Sequence, residues 1–229
     1  MNTLASISAI GLTLGLALGT DLTIAQGTLP KHQDVETVTY QIEFTNLWNA
    51  NDHASYPADA HYSPIAVIAH DRGFSLFKLG GLASDSFEDL AELGRTAKLD
   101  GDVADAADAG KVKAYVKSAA LWPLRDGTPS LAFTIEVPKG TELLSLATMI
   151  APSPDWIVGI DSLPLMKNGQ MIERYKEALF AINAGTEEGD SAGNFSLDNA
   201  PTNPPEPIAV LTGTGYDAPF ATVEITLAR

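Results

Sequence analysis

The sequence predicts an all-β protein with short helices, folded as an antiparallel β-sandwich. Three observations carry this expectation. Val38, Tyr40, Ile42 and Phe44 alternate with Thr39, Gln41 and Glu43, and Val223, Ile225 and Leu227 alternate with Glu224 and Thr226. Period-two alternation marks a half-buried strand. Between these ends lie seven more short runs rich in β-formers, most bounded by Gly, Pro, Asn or Asp. The 229 residues are enough to bury a sizeable core, and 45% of them are hydrophobic.

The seven runs are Ile65–Ala69, Phe74–Leu79, Val112–Lys117, Leu131–Val137, Leu143–Ile150, Trp156–Ile160 and Ile208–Leu211. With strands at both ends they suit a sandwich. Two helices are expected among them. Asp85 and Glu88 fit a capping box ahead of Phe87–Leu93, and Gly94 stops the helix. Met171, Ile172, Tyr175, Ala178 and Leu179 have helical spacing, which predicts a second helix over Met171–Ala181. Pro123, Pro138 and Pro152 fall at strand ends, where a missing amide donor costs little. The proline-rich stretch Ala200–Pro207 reads as a surface connection.

The first residues read as export machinery. Leu4 to Leu18 are apolar or small, and the first charge is Asp21. That run is shorter than the roughly 20 residues of a membrane-spanning helix and has the length of a secretory apolar region. Small-residue cleavage patterns follow at Ala17–Gly19 and Thr23–Ala25, while the start lacks Lys and Arg. The reading is a signal peptide over 1–25, a linker over 26–37 and one domain over 38–229. The protein is then secreted, or held in a periplasmic or other extracellular space.

Charge and cysteine content exclude several function classes. Lys and Arg number 14 against 29 Asp and Glu, a net charge of −15. Nucleic acid and anionic membrane surfaces need a basic footprint and are not expected partners. The absence of cysteine removes disulfides, thiolate zinc sites and cysteine nucleophiles.

Two loops concentrate oxygen donors. Pro152 and Pro154 stiffen the approach to Asp155 just before the Trp156 strand. Asn183-Ala184-Gly185-Thr186-Glu187-Glu188-Gly189-Asp190 is a second, acidic loop. Calcium takes six to eight oxygens from carboxylates, amides and carbonyls. Asp155, Asn183 and Glu187 could supply three of them; spacing alone equally suits a solvated loop.

The run Met149-Ile150-Ala151-Pro152-Ser153-Pro154-Asp155-Trp156-Ile157-Val158-Gly159 resembles the signature of the spondin N-terminal domain family. Tyr40–Trp48 resembles that family's opening strand, and His53–Pro57 with His61–His70 its second block. Ala91-Glu92-Leu93-Gly94 and Ala184-Gly185-Thr186 follow in family order, so the likeness spans about residues 38–229. The resemblance implies a C2-like variant of the β-sandwich, one Ca2+ ion held in loops at one end, a role in extracellular matrix or adhesion, and no enzymatic activity. Asp155 matches the family's first calcium aspartate. Asn183 and Glu187 match two further aspartates of the animal proteins, Asn183 losing a charge and Glu187 keeping it. Glu188 or Asp190 could compensate. The animal members also carry cysteines that this chain lacks, and further modules beside the domain.

Other motifs have blander readings. His53, His61 and His70 lack the spacing of a zinc site and are expected to be structural hydrogen-bonding residues. Asp100–Asp108 fails the EF-hand template and reads as a solvated, partly helical connection. Asn194–Ser196 is a formal glycosylation sequon. Trp48, Trp122 and Trp156 are expected as core or sheet-end anchors, and Tyr56 and Tyr62 as loop residues nearer a binding surface. Asp155 with Asp161 or Glu187 could be drawn as a glycosidase pair, which the family does not support.

The functional expectation is a secreted, non-enzymatic, calcium-binding sandwich that meets an extracellular protein or glycan partner. The alternatives are a C2-like calcium-dependent membrane-surface module, and a hydrolase using the His53/His61/His70 block.

Overall fold

The computed structural model describes residues 35–122, 129–189, 201–202 and 204–228. Thirteen strands and two helices run in the order β1 (Thr37–Asn46), β2 (His61–Tyr62), β3 (Ala66–His70), α1 (Asp85–Leu93), α2 (Ala97–Asp108), β4 (Val112–Lys117), β5 (Ser130–Pro138), β6 (Leu143–Ala151), β7 (Trp156–Pro164), β8 (Met166–Lys167), β9 (Gln170–Met171), β10 (Arg174–Leu179), β11 (Ile182–Asn183), β12 (Ala209–Val210) and β13 (Ala221–Leu227) among the described residues.

The alternating sequences build the first sheet, in the order β10-β13-β1-β5. Its pairs are antiparallel, with Ile42 opposite Ile225 on one side and Phe133 on the other. Tyr40, Ile42 and Phe44 turn inward and are fully buried, while Gln41 and Glu43 face solvent. The second sheet has the order β12-β11-β7-β6-β3-β4, with β2 added to β6. Val67, Leu146 and Val158 of this sheet meet the first sheet's inward face in one core.

The second sheet is buried on both faces. Ile68, Ala147 and Ile157 point away from the sandwich and pack under Phe87 and Leu90 of α1 and Leu99 and Val103 of α2. Strands covered on both sides read as continuous apolar runs, which is the pattern of Ala66–His70 and Leu144–Ala151. Helix α1 begins at Ser84, whose side chain accepts from the Phe87 amide at 3.3 Å. The expected cap, Asp85, is instead the first helical residue. Gly94 ends the helix in the left-handed conformation, φ 62°.

Two expected elements take another form. Phe74–Leu79 is no strand: Phe77 stacks on Phe87 with centroids 5.1 Å apart, so the segment wraps beneath α1 and spends its apolar side chains there. Met171–Ala181 is not helical. Its first residues close the β8–β9 hairpin, and Arg174–Leu179 forms edge strand β10 against β13. Tyr175 sits opposite Ile225, and Arg174 and Lys176 reach Glu224.

Trp48 and Trp156 are core residues, but Trp122 is 54% exposed and its ring meets that of His61 edge-on, with centroids 4.4 Å apart. It lies just beyond the bridge between Leu121 and Tyr62, where the chain leaves the sheet. Tyr62, expected near a binding surface, is fully buried; its hydroxyl donates to the Phe220 carbonyl at 2.6 Å. Residues 1–34, Pro123, Asp190 and the Asn194–Ser196 sequon lie outside the described residues. Among those described, no helix is long and apolar enough to cross a membrane.

Candidate metal centre

Three neighbouring pieces of chain meet at one end of the second sheet. The first is the loop 152–155 between β6 and β7. Ser153 accepts from the Trp156 amide at 3.0 Å, which fixes the turn into β7. The second is the loop after β11. Asn183 pairs with Trp156 in the ladder, and the Ala184 amide donates to the Asp155 carbonyl at 3.1 Å. The third is the last turn of α1, which carries Glu92.

Asp155 is completely buried. Its Oδ2 accepts from the Thr186 amide at 2.8 Å, the Glu187 amide at 3.2 Å and the Thr186 hydroxyl at 3.3 Å. Its Oδ1 is also shielded from solvent. All three donors converge on the one carboxylate oxygen Oδ2. The loop that supplies those amides is shaped by Gly185 at φ 76°, where an added Cβ would lie 2.1 Å from the Glu206 carbonyl oxygen. The Asn183 side-chain oxygen accepts from the Gly185 amide and closes the same turn.

Glu92 was not among the residues singled out for a site role. It is hydrogen-bonded to Thr186, and it feels the charges of Glu88, Asp155 and Asp89. Burial, ahead of those neighbours, holds its carboxyl above the usual range, and the Thr186 hydrogen bond opposes this. The signal was available: Ala91-Glu92-Leu93-Gly94 is one of the ordered blocks noted above.

The three expected ligands therefore belong to one neighbourhood, with different roles. Asp155 is its buried centre, Asn183 shapes the loop, and Glu187 is half-buried and offers its amide to Asp155. Among the described residues no three His, Cys, Asp or Glu side chains are already gathered as a metal cluster. The donors present are carboxylates, an amide oxygen and a hydroxyl. That chemistry fits a hard cation rather than zinc or copper.

The histidines have separate partners. His53 Nδ1 meets the Asn49 amide and carbonyl, and its ring packs on Phe220 at 4.2 Å. His61 meets the Asp59 carbonyl at 2.8 Å. His70 Nδ1 lies 2.7 Å from the Asp71 carbonyl, and Nε2 lies 2.8 Å from Ser145 Oγ. His70 and Ser145 are both fully buried, and the group behind the imidazole is a main-chain carbonyl, not a carboxylate. The pair joins the places where the β3–β4 and β6–β7 registers shift. Asp100 belongs to α2 and holds Lys117 at 2.7 Å and the Tyr115 hydroxyl at 2.8 Å.

A model of the Spondin_N family matches residues 38–222. The chain belongs to the spondin N-terminal domain family. It is similar to Spondin-1 of Homo sapiens, 31% identical over 193 residues, which cover 80% of this chain and 23% of that protein. It is also similar to Spondin-2 of Rattus norvegicus, 28% identical over 217 residues, with 93% of this chain and 62% of that protein covered. For Spondin-2 of Homo sapiens the identity is 29% over 184 residues, covering 79% and 54%. This spondin domain thus spans about a quarter of Spondin-1 and less than two thirds of Spondin-2. The matched region contains Glu92, Asp155, Asn183 and Glu187 and ends at Thr222, the second residue of β13.

Proposed function

We propose that this chain is an exported, non-enzymatic spondin domain that binds one Ca2+ ion at the sheet end around Asp155 and meets an extracellular protein or glycan there. The observation that carries the reading is Asp155 itself, a fully buried carboxylate at the meeting point of two sheet loops and a helix end. Family membership supports the extracellular setting.

Asp155, Asn183, Glu187 and Glu92 are the residues that would hold the ion. A divalent cation supplies the positive charge that lets several carboxylates share one site. Asp155 anchors the loop after β11 through its accepted amides, so a ligand of Asp155 and Glu187 would stiffen that loop. Glu92 would couple the same loops to α1. The outcome is a more rigid end of the sandwich, a surface on which a partner can be recognised.

Isothermal titration of the EDTA-treated protein with calcium chloride tests this. The expected result is one site, lost in Asp155→Asn and weakened in Glu92→Gln. No heat of binding in the native protein, or equal binding by Asp155→Asn, removes calcium from the proposal.

A further inference from the structure

A second feature lies away from the acidic end. A cleft of about 490 Å³ opens along the side of the sandwich, between the outer edge of β7 over 159–164 and edge strand β10 with its continuation over 175–180. Two facts about its walls decide its character. Seven large hydrophobic side chains are clearly exposed among the described residues, and three of them, Leu79, Phe180 and Val210, line this one cleft. The ionisable acids on its wall are Asp161 and Glu177, and no Lys or Arg lines it.

The backbone adds a third fact. β10 pairs with β13 on one side only, and β7 pairs with β11 only through Trp156 and Ile157. The remaining outer edges of both strands flank the cleft with no ladder partner among the described residues. Strand edges of this kind bind extended segments by main-chain hydrogen bonds, with alternate side chains dropping into pockets. The Leu79 loop is fastened beside the cleft by the Gly80 amide to the Ile208 carbonyl and the Ile208 amide to the Gly81 carbonyl, both at 2.8 Å. The apolar wall is therefore a built surface.

We propose that this cleft docks an extended segment of a partner protein in which apolar residues alternate with Lys or Arg. The apolar side chains would cover Leu79, Phe180 and Val210. The cationic ones would meet Asp161 and Glu177, which take their present hydrogen bonds from Ser162 and Tyr175, neutral donors that leave the negative charge in place. The protein's charge of −15 favours approach of such a segment.

The test is fluorescence anisotropy of the full chain with a labelled, end-blocked peptide of alternating Lys and Val, eight residues long. A Lys/Ser peptide of equal length and charge is the control. The Lys/Val peptide is expected to bind at least about tenfold more tightly than the control. Val210→Asp should weaken it about tenfold although it adds negative charge, and Leu79→Ser should do the same at a second exposed position. Asp161→Asn with Glu177→Gln should weaken it and flatten its salt dependence. Equal binding of the two peptides, or affinity unchanged in both Val210→Asp and Leu79→Ser, overturns the proposal. So does sedimentation velocity showing a native dimer that Val210→Asp dissociates, since the cleft's occupant would then be a second copy.

Discussion

Asp155 joins stability and binding in one side chain, and two substitutions separate them. Asp155→Ala strands the Thr186 and Glu187 amides, while the Thr186 hydroxyl keeps its hydrogen bond to Glu92. Leaving buried donors unsatisfied costs about 1–3 kcal/mol per group, and relaxation of the loop recovers part of it. Urea unfolding in EDTA should show a loss of about 2–4 kcal/mol. Asp155→Asn keeps an acceptor oxygen and should lose less stability while losing metal binding. His70 makes a second residue-scale prediction. The geometry suits a neutral imidazole that donates from Nδ1 to the Asp71 carbonyl and accepts at Nε2 from Ser145, whose oxygen in turn accepts from the Ser162 amide at 3.0 Å. Burial lowers the His70 pKa below 6.5; its own carbonyl bond and the charges of Asp71 and Asp161 pull the other way and lose. Burial lowers His53 likewise. Below 6.5 the unfolded chain therefore binds protons that the folded chain refuses, so stability falls as pH drops through that value, until the folded pKa values are reached. Urea midpoints measured from about pH 7.5 to 5.5 should decline, and His70→Gln should reduce the slope. An unchanged slope in that variant would assign the effect elsewhere.

Helix α1 shows how an element's limits are set by groups that compete for one task. Ser84 and Asp85 are both good capping residues, and the Asp85–Glu88 spacing favoured the second. The structure gives the cap to Ser84, whose side chain accepts from Phe87, and puts Asp85 and Glu88 in the first turn facing the helix dipole. Ser84→Ala should therefore cost about 1 kcal/mol, and Asp85→Ala only the smaller dipole contribution, about 0.3–1 kcal/mol. Paired thermal melts of the two variants check the order. The same competition explains which elements were legible. β1, β4, β5, β6 and β13 follow from alternation or continuous apolar runs because each is paired on at least one full edge. β10 was misread because Met171, Ile172, Tyr175, Ala178 and Leu179 fit a helical stripe. Only the neighbouring Ala221–Thr226 of β13 reveals that Tyr175 and Leu179 belong to a strand face. Phe74–Leu79 was misread because its hydrophobicity serves α1, a contact that local sequence does not display. For the site, Asp155 and the loop after β11 were legible from loop composition and the family pattern. Glu92 stood in a family-ordered block but carried no site role in the sequence, because that role depends on α1 being laid against the loop by the packing of Leu90 and Phe87 on the second sheet.

At the scale of the whole molecule the −15 charge acts in two ways that experiment can separate. Folding brings like charges closer, so the compact state carries a repulsion that salt screens. The screening length falls from about 30 Å at 0.01 M to about 8 Å at 0.15 M ionic strength. Sodium chloride over that range should raise the melting temperature of native protein and of Asp155→Asn alike. Calcium at matched ionic strength adds a different contribution if the site around Asp155 takes it. Binding to the folded state alone stabilises by RT ln(1 + [L]/Kd), about 2.7 kcal/mol at one hundred times Kd. That increment should be present in the native protein, reversed by EDTA and missing in Asp155→Asn. Magnesium at the same concentration should give less, since it favours a tighter octahedral shell and keeps its waters. If calcium and sodium act equally at equal ionic strength, the acidity is a matter of solubility and repulsion alone. If calcium exceeds sodium only in the native protein, the arrangement of Glu92, Asp155 and the loop after β11 converts part of that surplus charge into a specific site. The sandwich then gains from a metal ion some of the cross-linking that a chain without cysteine cannot obtain from disulfides.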